Sequence, residues 1–203
     1  MLREIEEGKI DIIIGTQMVA KGHHFPNLTL VGVIDADLGL EGGDLRASEK
    51  SFQMMTQVSG RAGRAEKKGK VLLQTYNPEH PVMKALIAGD RENFLKREAE
   101  YRRAAAVPPF GRFAAIIFSG RSEAQVKQTA IDLRNSAPKD KMIHILGPAP
   151  APLVQLKGKY RYRLLVHAPK QINLQEYLRH WFALKPLPSV IQMKVDIDPY
   201  SFM

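Results

Sequence analysis

Short runs rich in β-branched residues recur through the first half of this chain, separated by stretches with helical patterning. Ile10–Ile14 and Leu30–Ile34 end at Gly15 and Asp35, and Val71–Tyr76 forms a third run. Runs of this length and composition are typical of strands buried inside a parallel sheet. We therefore predict three such strands in the first half.

The intervals between these runs carry helix signals. Ser48 is placed to cap a helix that extends to about Val58. A second helical pattern starts at Pro81, breaks at Gly89–Asp90 and then resumes. Alternating strands and helices predict an α/β unit in which helices cover a parallel sheet. Because three strands are too few for a complete doubly wound domain, we expect a truncated one whose earlier strands lie upstream of Met1.

Val107–Pro109 interrupts the last helical pattern, because a residue before proline is driven out of the α region. We place the domain boundary here, between residues 1–106 and residues 107–203. Charge divides at the same point: the first part holds 16 basic and 15 acidic residues, the second 14 and 6, within a net charge of +9. A concentrated positive field favours polyanionic partners such as nucleic acid. The alternative is a basic domain that charge keeps soluble.

The second domain has its own order of elements. It reads as strand Arg112–Ser119, helix Ser122–Ser136, strands Met142–Leu146 and Arg161–Ala168, helix Asn173–Leu184 and strand Val190–Ile197. Ser122 and Asn173 stand where N-caps are expected. Gly147–Pro150 is expected to prevent ladder pairing between the second and third strands. The βαββαβ order predicts a small α+β sandwich of the split-βαβ type.

Composition excludes several classes of protein. With no cysteine, the chain forms neither disulfides nor thiolate metal sites. No apolar run approaches the roughly 20 residues that a membrane-spanning helix requires. The N-terminal residues have neither the apolar core of a secretory signal nor a basic amphipathic transit pattern. We expect a soluble, cytoplasmic protein with no membrane partner.

The most specific chemical signal is Gln57–Arg64, which reads QVSGRAGR and directly follows a predicted helix. Its glycines allow a tight loop to approach a partner closely. Arg61 and Arg64 then project planar guanidinium groups suited to phosphate. An arginine placed against a γ-phosphate stabilises the charge of the transferring group, an effect worth roughly 10³–10⁵ in rate. The alternative is a basic surface turn.

A second signal, Gly15–Pro26, follows the first predicted strand. Ligands bind at the carboxyl ends of the strands in open α/β sheets. Thr16 offers a hydroxyl and a backbone N–H to a phosphate oxygen, and Gly22 removes the side chain where backbone must come near. The adjacent His23 and His24 point to different sides and have no carboxylate cluster beside them. We therefore expect no metal site here.

The two segments together, in this order and about 40 residues apart, resemble the last two motifs of superfamily 2 helicases. The first is similar to the family's Thr-x-x-x-Ala-(Arg/Lys)-Gly-x-Asp-x-Pro stretch, with Thr16, Lys21 and Gly22 at matching places. It departs from that pattern at His24, where many members have an acidic residue. The resemblance implies that Lys21 and Gly22 bind ATP and that Thr16 contacts DNA.

The second segment is similar to the family's closing Gln/His-x-x-Gly-Arg-x-Gly-Arg motif. This resemblance implies that Gln57 binds ATP. It also implies that Arg61 and Arg64 are catalytic and reach ATP, bound with Mg²⁺, across a cleft between lobes. The implied fold of residues 1–106 is the C-terminal part of a RecA-like helicase lobe.

The match narrows to the family of bacterial primosomal replication-restart helicases. Gly15–Pro26, Asp35–Asp37, Gln57–Ala65, Pro108–Gly111 and Val195–Pro199 are similar to segments of that family. The resemblance implies an ATP-dependent 3′-to-5′ DNA helicase that recognises stalled replication forks and restarts replication by primosome assembly. It also implies a C-terminal domain that contacts fork or single-stranded DNA, single-stranded DNA-binding protein and primosome proteins.

Two features of that family are missing from this chain. It has no phosphate-loop motif and none of the family's zinc-binding cysteines. Both lie upstream in the family, so we interpret the chain as a C-terminal fragment, with zinc expected only in the absent upstream segment. We predict that the fragment alone neither hydrolyses ATP nor unwinds DNA. The magnesium carboxylates of this motor class also belong to the other lobe, so Asp35 and Asp37 are interpreted as interlobe or loop-anchoring groups.

In the second domain, Lys157–Arg163 alternates basic and aromatic residues. On a strand, Arg161 and Arg163 share one face while Tyr160 and Tyr162 share the other. The residues predicted to bind DNA phosphates here are Lys157, Lys159, Arg161 and Arg163. The tyrosines either stack on unpaired bases or pack in the core. A solvated arginine face is the alternative for the cations.

Two other functions stay open at this point. The sandwich domain is compatible with a non-enzymatic adaptor for nucleic acid or protein, and the motor segments are compatible with an RNA helicase. The paired arginines after a glycine turn argue against a pure adaptor, which has no need of them. The choice of DNA over RNA rests on the family resemblance.

Overall fold

The structure, a computed structural model, describes residues 2–16, 27–40, 44–60, 62 and 69–200. The chain divides into two compact units, Met1–Phe94 and Leu95–Met203. The first is α/β with a parallel sheet and the second is α+β with an antiparallel sheet, so the predicted fold class is confirmed. The predicted boundary after residue 106 stays a prediction.

The first unit contains α1 (Leu2–Glu6), β1 (Leu30–Val33), α2 (Ala47–Ser59), β2 (Lys70–Leu73) and α3 (Pro81–Ala88). The two strands pair in parallel, from Leu30 opposite Lys70 to Val33 opposite Leu73. Val33 and Leu73 pack against the helices, where Met55 and Met83 are buried. The other face of the sheet leaves Leu30 exposed.

The strand predicted at Ile10–Ile14 is wrong. These residues form no strand, and Ile12 and Ile14 are 77% and 94% exposed. A strand is stabilised by ladder bonds to a neighbour, and no described residue pairs with this run. Asp11 also interrupts its apolar character. β-branched composition alone is therefore insufficient to predict a strand here.

The start of α2 also differs from the prediction. The helix begins at Ala47, its N-cap is Arg46 with no side-chain cap bond, and Ser48 lies inside the first turn. The Asp44 carboxylate lies just before this start: it accepts from the Arg46 N–H at 3.0 Å and from Lys50 Nζ at 2.6 Å. An acceptor three residues before the helix thus fixes the chain entry.

The predicted break near residue 89 is confirmed. Gly89 closes α3 in the left-handed region, at φ 64°, where glycine is favoured. Helix α4 (Arg91–Ala104) follows at once, and the Asp90 carboxylate accepts from the Asn93 N–H at 3.0 Å. Asp90 therefore caps the start of α4 directly after Gly89 ends α3.

The second unit is a complete split-βαβ sandwich, as predicted. Its elements are β3 (Gly111–Gly120), α5 (Glu123–Asn135), β4 (His144–Leu156), β5 (Lys159–Pro169), α6 (Leu174–Leu184) and β6 (Gln192–Ile197). The sheet order is β4-β5-β3-β6, and every neighbouring pair is antiparallel. The two central strands are thus the first and third of the motif.

Both helices of this sandwich cover the same face of the sheet. Side chains buried there are Ile116 and Phe118 from β3, Leu164 and Val166 from β5, Val126 and Leu133 from α5, and Leu178 and Trp181 from α6. Trp181 is fully buried, and its Nε1–H donates to the Leu133 carbonyl at 2.9 Å. This bond satisfies the one polar atom that the indole brings into the core.

The two helix caps predicted for this unit are confirmed. Ser122 Oγ accepts from the Gln125 N–H at 3.4 Å, and Asn173 Oδ1 accepts from the Glu176 N–H at 3.2 Å. Each bond satisfies a backbone donor that the helix itself leaves without a partner. Both elements therefore begin where the local sequence requires.

The prediction that Gly147–Pro150 prevents pairing is wrong. β4 continues through this segment, with Ala149 opposite Arg163 and Pro150 opposite Tyr162, and its register with β5 shifts on either side. The physical reason is that β4 is an edge strand, where proline and irregular pairing are tolerated. Gly147 adopts φ 97°, and a Cβ there would meet the Arg163 carbonyl oxygen at 2.8 Å.

Asp198 fastens the end of β6 to the start of β3. Its Oδ1 accepts from the Phe113 N–H at 2.9 Å, its Oδ2 accepts from Arg112 Nε at 2.7 Å, and its own N–H donates to the Phe113 carbonyl at 2.7 Å. The last strand is thereby held in register.

Within the described part of the chain, no helix has the length and apolarity to cross a membrane.

Candidate nucleic-acid interface

Asp37 joins the loops that follow β1 and β2. Its Oδ1 accepts from Thr75 Oγ1 at 2.7 Å, and its Oδ2 accepts from the Tyr76 N–H at 2.7 Å. The Thr75 bond is the largest cause of a lowered pKa at this carboxyl, and the Tyr76 N–H adds to it. The loop-anchoring interpretation is confirmed for Asp37. These same bonds explain why β2 ends at Leu73, before the predicted end of the strand.

The structure describes only part of the predicted motor site. Gln57 is exposed in the last turn of α2. Thr16 is exposed in irregular backbone after the run that fails to form a strand. The predicted site residues that lie outside the described ranges are Lys21, Gly22, Arg61 and Arg64. The ATP-binding and catalytic roles therefore stay predictions. Among the described residues, no three His, Asp or Glu side chains cluster as metal ligands do.

Strand β5 sorts its side chains by strict alternation. The even-numbered residues of Tyr162–Ala168 are buried in the core against α5 and α6. Lys159, Arg161 and Arg163 occupy odd positions and therefore project from the opposite face of the sheet. Lys157 precedes them, exposed in the turn between β4 and β5. The shared face predicted for the two arginines is confirmed, and their DNA contact stays a prediction.

Tyr162 belongs to the core rather than to a stacking surface. Its side chain is 6% exposed, and its hydroxyl donates to Glu123 Oε1 at 2.9 Å. That bond, together with burial and the negative charge of Glu123, raises the pKa of the phenol. Tyr160 lies on the same side of β5 and is half-buried. The core alternative is therefore confirmed for Tyr162.

Lys194 on β6 is a cation that the sequence interpretation missed. Ile117 of β3 is registered with Arg163 on one side and with Lys194 on the other, so the two cations flank it in one row. Lys159 Nζ donates to Gln192 Oε1 at 2.9 Å, which joins β5 to β6 at the end of this surface. A signal was present: the apolar residues of β6 alternate, which leaves Lys194 on the other face. We name the surface formed by Lys159, Arg161, Arg163 and Lys194 the basic face.

The opposite end of the same sheet face is covered. His167 Nε2 lies 2.8 Å from the Ala106 carbonyl oxygen, and the His167 ring lies 5.0 Å from that of Phe113, which is 7% exposed. Gly111 makes this approach possible, because a Cβ there would fall 1.6 Å from the Ala106 oxygen. The segment before β3 thus limits the basic face to the end of the sheet near the β4–β5 turn.

Comparison with known families matches the two halves of the chain separately and in order. Residues 1–66 match the helicase conserved C-terminal domain, and residues 103–200 match the primosomal protein N C-terminal domain. The first match contains both predicted motor motifs, and the second contains the whole split-βαβ sandwich.

Curated relatives match over essentially the full chain. The chain is 51% identical to Replication restart protein PriA of Rickettsia conorii over 202 residues, which cover 100% of this chain and 31% of the relative. The protein of that name from Haemophilus influenzae is 39% identical, with 98% and 28% covered, and that from Bacillus subtilis is 37% identical, with 100% and 26% covered. The chain thus spans less than a third of the length of these relatives. These two domain matches, in this order and together with relatives that match the whole chain, show that the chain belongs to the PriA replication restart protein family.

Proposed function

We propose that this chain is the C-terminal portion of an ATP-dependent 3′-to-5′ DNA helicase that recognises stalled replication forks and restarts replication by primosome assembly. The observation that carries the proposal is the 51% identity, over the whole chain, to a relative named for replication restart. The match of residues 1–66 to a helicase domain supports a motor role for the first unit. A role at the chromosome implies work in the bacterial cytoplasm.

In this proposal the first unit contributes one side of an ATP site. Its catalytic residues are Arg61 and Arg64, and its ATP-binding residues are Gln57, Lys21 and Gly22. ATP with Mg²⁺ supplies the transferring phosphoryl group, and the arginines stabilise its charge. The phosphate loop belongs to another lobe of the full-length protein, so the chain alone is inactive as an ATPase.

The second unit contributes contacts to fork or single-stranded DNA. The residues proposed to contact DNA in this unit are Lys157, Lys159, Arg161 and Arg163. In the first unit the proposed DNA contact is Thr16. The concentration of positive charge in residues 107–203 supports this role, because counterion release drives binding to polyanions. We also propose single-stranded DNA-binding protein and primosome proteins as partners.

Replacing both arginines in the full-length protein tests the motor role. We expect Arg61→Gln with Arg64→Gln to lower DNA-stimulated ATP turnover by roughly 10³-fold, because two phosphate-facing charges are removed. Lys84→Gln on the exposed face of α3 is the matched control and should leave turnover unchanged. Unchanged turnover in the double variant refutes the motor role, and ATPase activity in the 203-residue chain alone refutes its predicted inactivity.

Competition distinguishes the DNA helicase from an RNA helicase and from an adaptor that binds protein alone. Fork DNA and an RNA duplex of matched sequence compete for the same labelled chain at fixed ionic strength. Stronger displacement by fork DNA supports the proposal. Stronger displacement by RNA favours the RNA helicase, and failure of both to bind favours a protein adaptor.

A further inference from the structure

We propose that the basic face binds the phosphodiester backbone of DNA without stacking on its bases, and that Lys194 completes this site. The inference rests on the proposed DNA-binding function of the second unit and specifies how that function is carried out.

The register of three strands brings the cations together. Arg163, Ile117 and Lys194 stand in one row across β5, β3 and β6. Because neighbouring strands lie about 4.8 Å apart, the two cations in this row are about 10 Å apart at the backbone. Arg161 stands in the next row, opposite Ser119. A linear polyanion that crosses the face can contact the cations of both rows.

Lys194 is well placed to meet such a polyanion. It is exposed on β6, while Met193 and Val195 on either side of it pack against the core. Because side chains alternate along a strand, that of Lys194 projects from the basic face. Gln192 lies two residues earlier on the same face, where its side-chain oxygen holds Lys159.

The aromatic residues of this strand pair are on the wrong side for stacking. Tyr162 is in the core with its hydroxyl bonded to Glu123, and Tyr160 shares its side of β5. The described residues between the cations are Ile117 and Ser119, which have no π-face to offer a base. A cationic surface without aromatic platforms recognises charge, and phosphate charge is the same at every base.

A carboxylate limits the extent of the site. Asp196 lies on the same face as Lys194, one row further from the β4–β5 turn and opposite Ala115. Its negative charge opposes a phosphate in that row. Beyond it the contact between His167 and Ala106 covers the sheet. The DNA path is therefore confined to the rows of Arg161 and Arg163, next to the turn that carries Lys157.

Salt dependence tests the assignment of residues. Binding of the full 203-residue chain to a labelled single strand is measured by fluorescence anisotropy over a series of salt concentrations. We expect Lys194→Ala to reduce the slope of log affinity against log salt by about 0.7, and Arg161→Ala with Arg163→Ala to reduce it by about 1.4, because each cation releases counterions. Lys127→Ala and Arg134→Ala on the exposed side of α5 are the matched controls and should leave the slope unchanged.

A DNA strand that keeps its phosphate backbone but lacks bases tests the mode of binding. The same titration is repeated with a strand of equal length in which consecutive nucleotides are abasic, so that the phosphates remain. We expect affinities within about twofold of each other. Base stacking is worth roughly 5- to 150-fold in affinity per base, so a loss of tenfold or more on removing the bases overturns the backbone-only mode.

The failure of this inference is distinguishable from failure of the proposed function. If the chain binds no DNA at low salt, the proposed DNA-binding function is refuted. If it binds, but Lys194→Ala leaves the slope unchanged, or the α5 controls change it equally, the basic face is overturned while DNA binding stands. Thermal unfolding midpoints equal to that of the parent chain show that a variant is folded, as expected for side chains that project from a sheet surface.

Discussion

The parallel sheet of the first unit and the antiparallel sheet of the second differ in how much apolar surface they bury. On the parallel pair, Leu30 and Leu72 are 52% and 51% exposed. In the antiparallel sheet, Ile116 and Leu164 are fully buried. Leu30 and Leu72 lie on the face of the parallel pair opposite to the one that packs against α2 and α3, whereas Ile116 and Leu164 lie on the face that α5 and α6 cover. The comparison teaches that burial on these strands follows the cover that helices give to one face of each sheet.

The largest effect is expected where burial is most complete. Trp181→Ala in α6 removes a fully buried indole and its bond to the Leu133 carbonyl, at an expected cost of about 3–5 kcal/mol in the free energy of unfolding of the second unit. Urea denaturation followed by circular dichroism measures this cost. Leu184→Ala on the same helix is the control: Leu184 is 53% exposed and should change stability by less than about 0.5 kcal/mol. Equal losses in the two variants would show that stability in this unit does not follow burial, which would break the comparison.

An intermediate effect is expected at the fastening of β6. Asp198→Ala removes the charged acceptor of the Phe113 N–H together with the ion pair to Arg112. The expected cost is about 1–3 kcal/mol, because a hydrogen bond to a charged group contributes roughly 1.5–3 kcal/mol. Asp196→Ala, two residues earlier and exposed, is the matched control and should have little effect. A loss of stability at position 196 as large as that at 198 would show that Asp198 does not hold β6 to β3.

The smallest effect is expected in the first unit and depends on pH. Asp37 has a folded pKa below its ordinary value of 3.8, so its contribution is complete above that value and is lost as pH falls through the lower, folded pKa. Asp37→Asn keeps an oxygen that can accept from the Tyr76 N–H but removes the negative charge, so it should destabilise the unit near neutral pH and flatten its acid dependence. Thermal unfolding of parent and variant across acid pH measures this, and the two midpoints should converge below the folded pKa. Parallel curves with a constant offset would show that the carboxyl charge contributes nothing.

Local signals in the sequence were sufficient for most elements of the second unit. Ser122 and Asn173 cap α5 and α6 because a cap depends only on residues two or three positions away. The βαββαβ order likewise follows from the succession of strand-like and helix-like spacings of apolar residues along the sequence. The position of β4 at the sheet edge is a property of the whole sheet, so the effect of Gly147–Pro150 was misjudged.

Pairing over long distances explains the remaining errors. Ile10–Ile14 has strand composition, but a strand also needs a neighbour, and composition does not reveal one. Lys194 joins Arg163 only through the register of β3, which lies some 46 to 77 residues away in sequence. The alternation on β5 was predictable and did separate arginines from tyrosines. Alternation on β6 could assign Lys194 to a sheet face, but its place beside Arg163 required the register of the three strands.

The prolines of β4 have a consequence for the behaviour of the second unit in solution. Pro148, Pro150 and Pro152 remove three N–H donors from one edge of the sheet, and the register shifts beside them distort that edge further. An exposed edge with regular donors can template the addition of a foreign strand and so begin aggregation. This edge lacks the regular ladder that such growth requires. The second unit is thereby protected against such growth at one side of its sheet, although no further strand among the described residues covers that side.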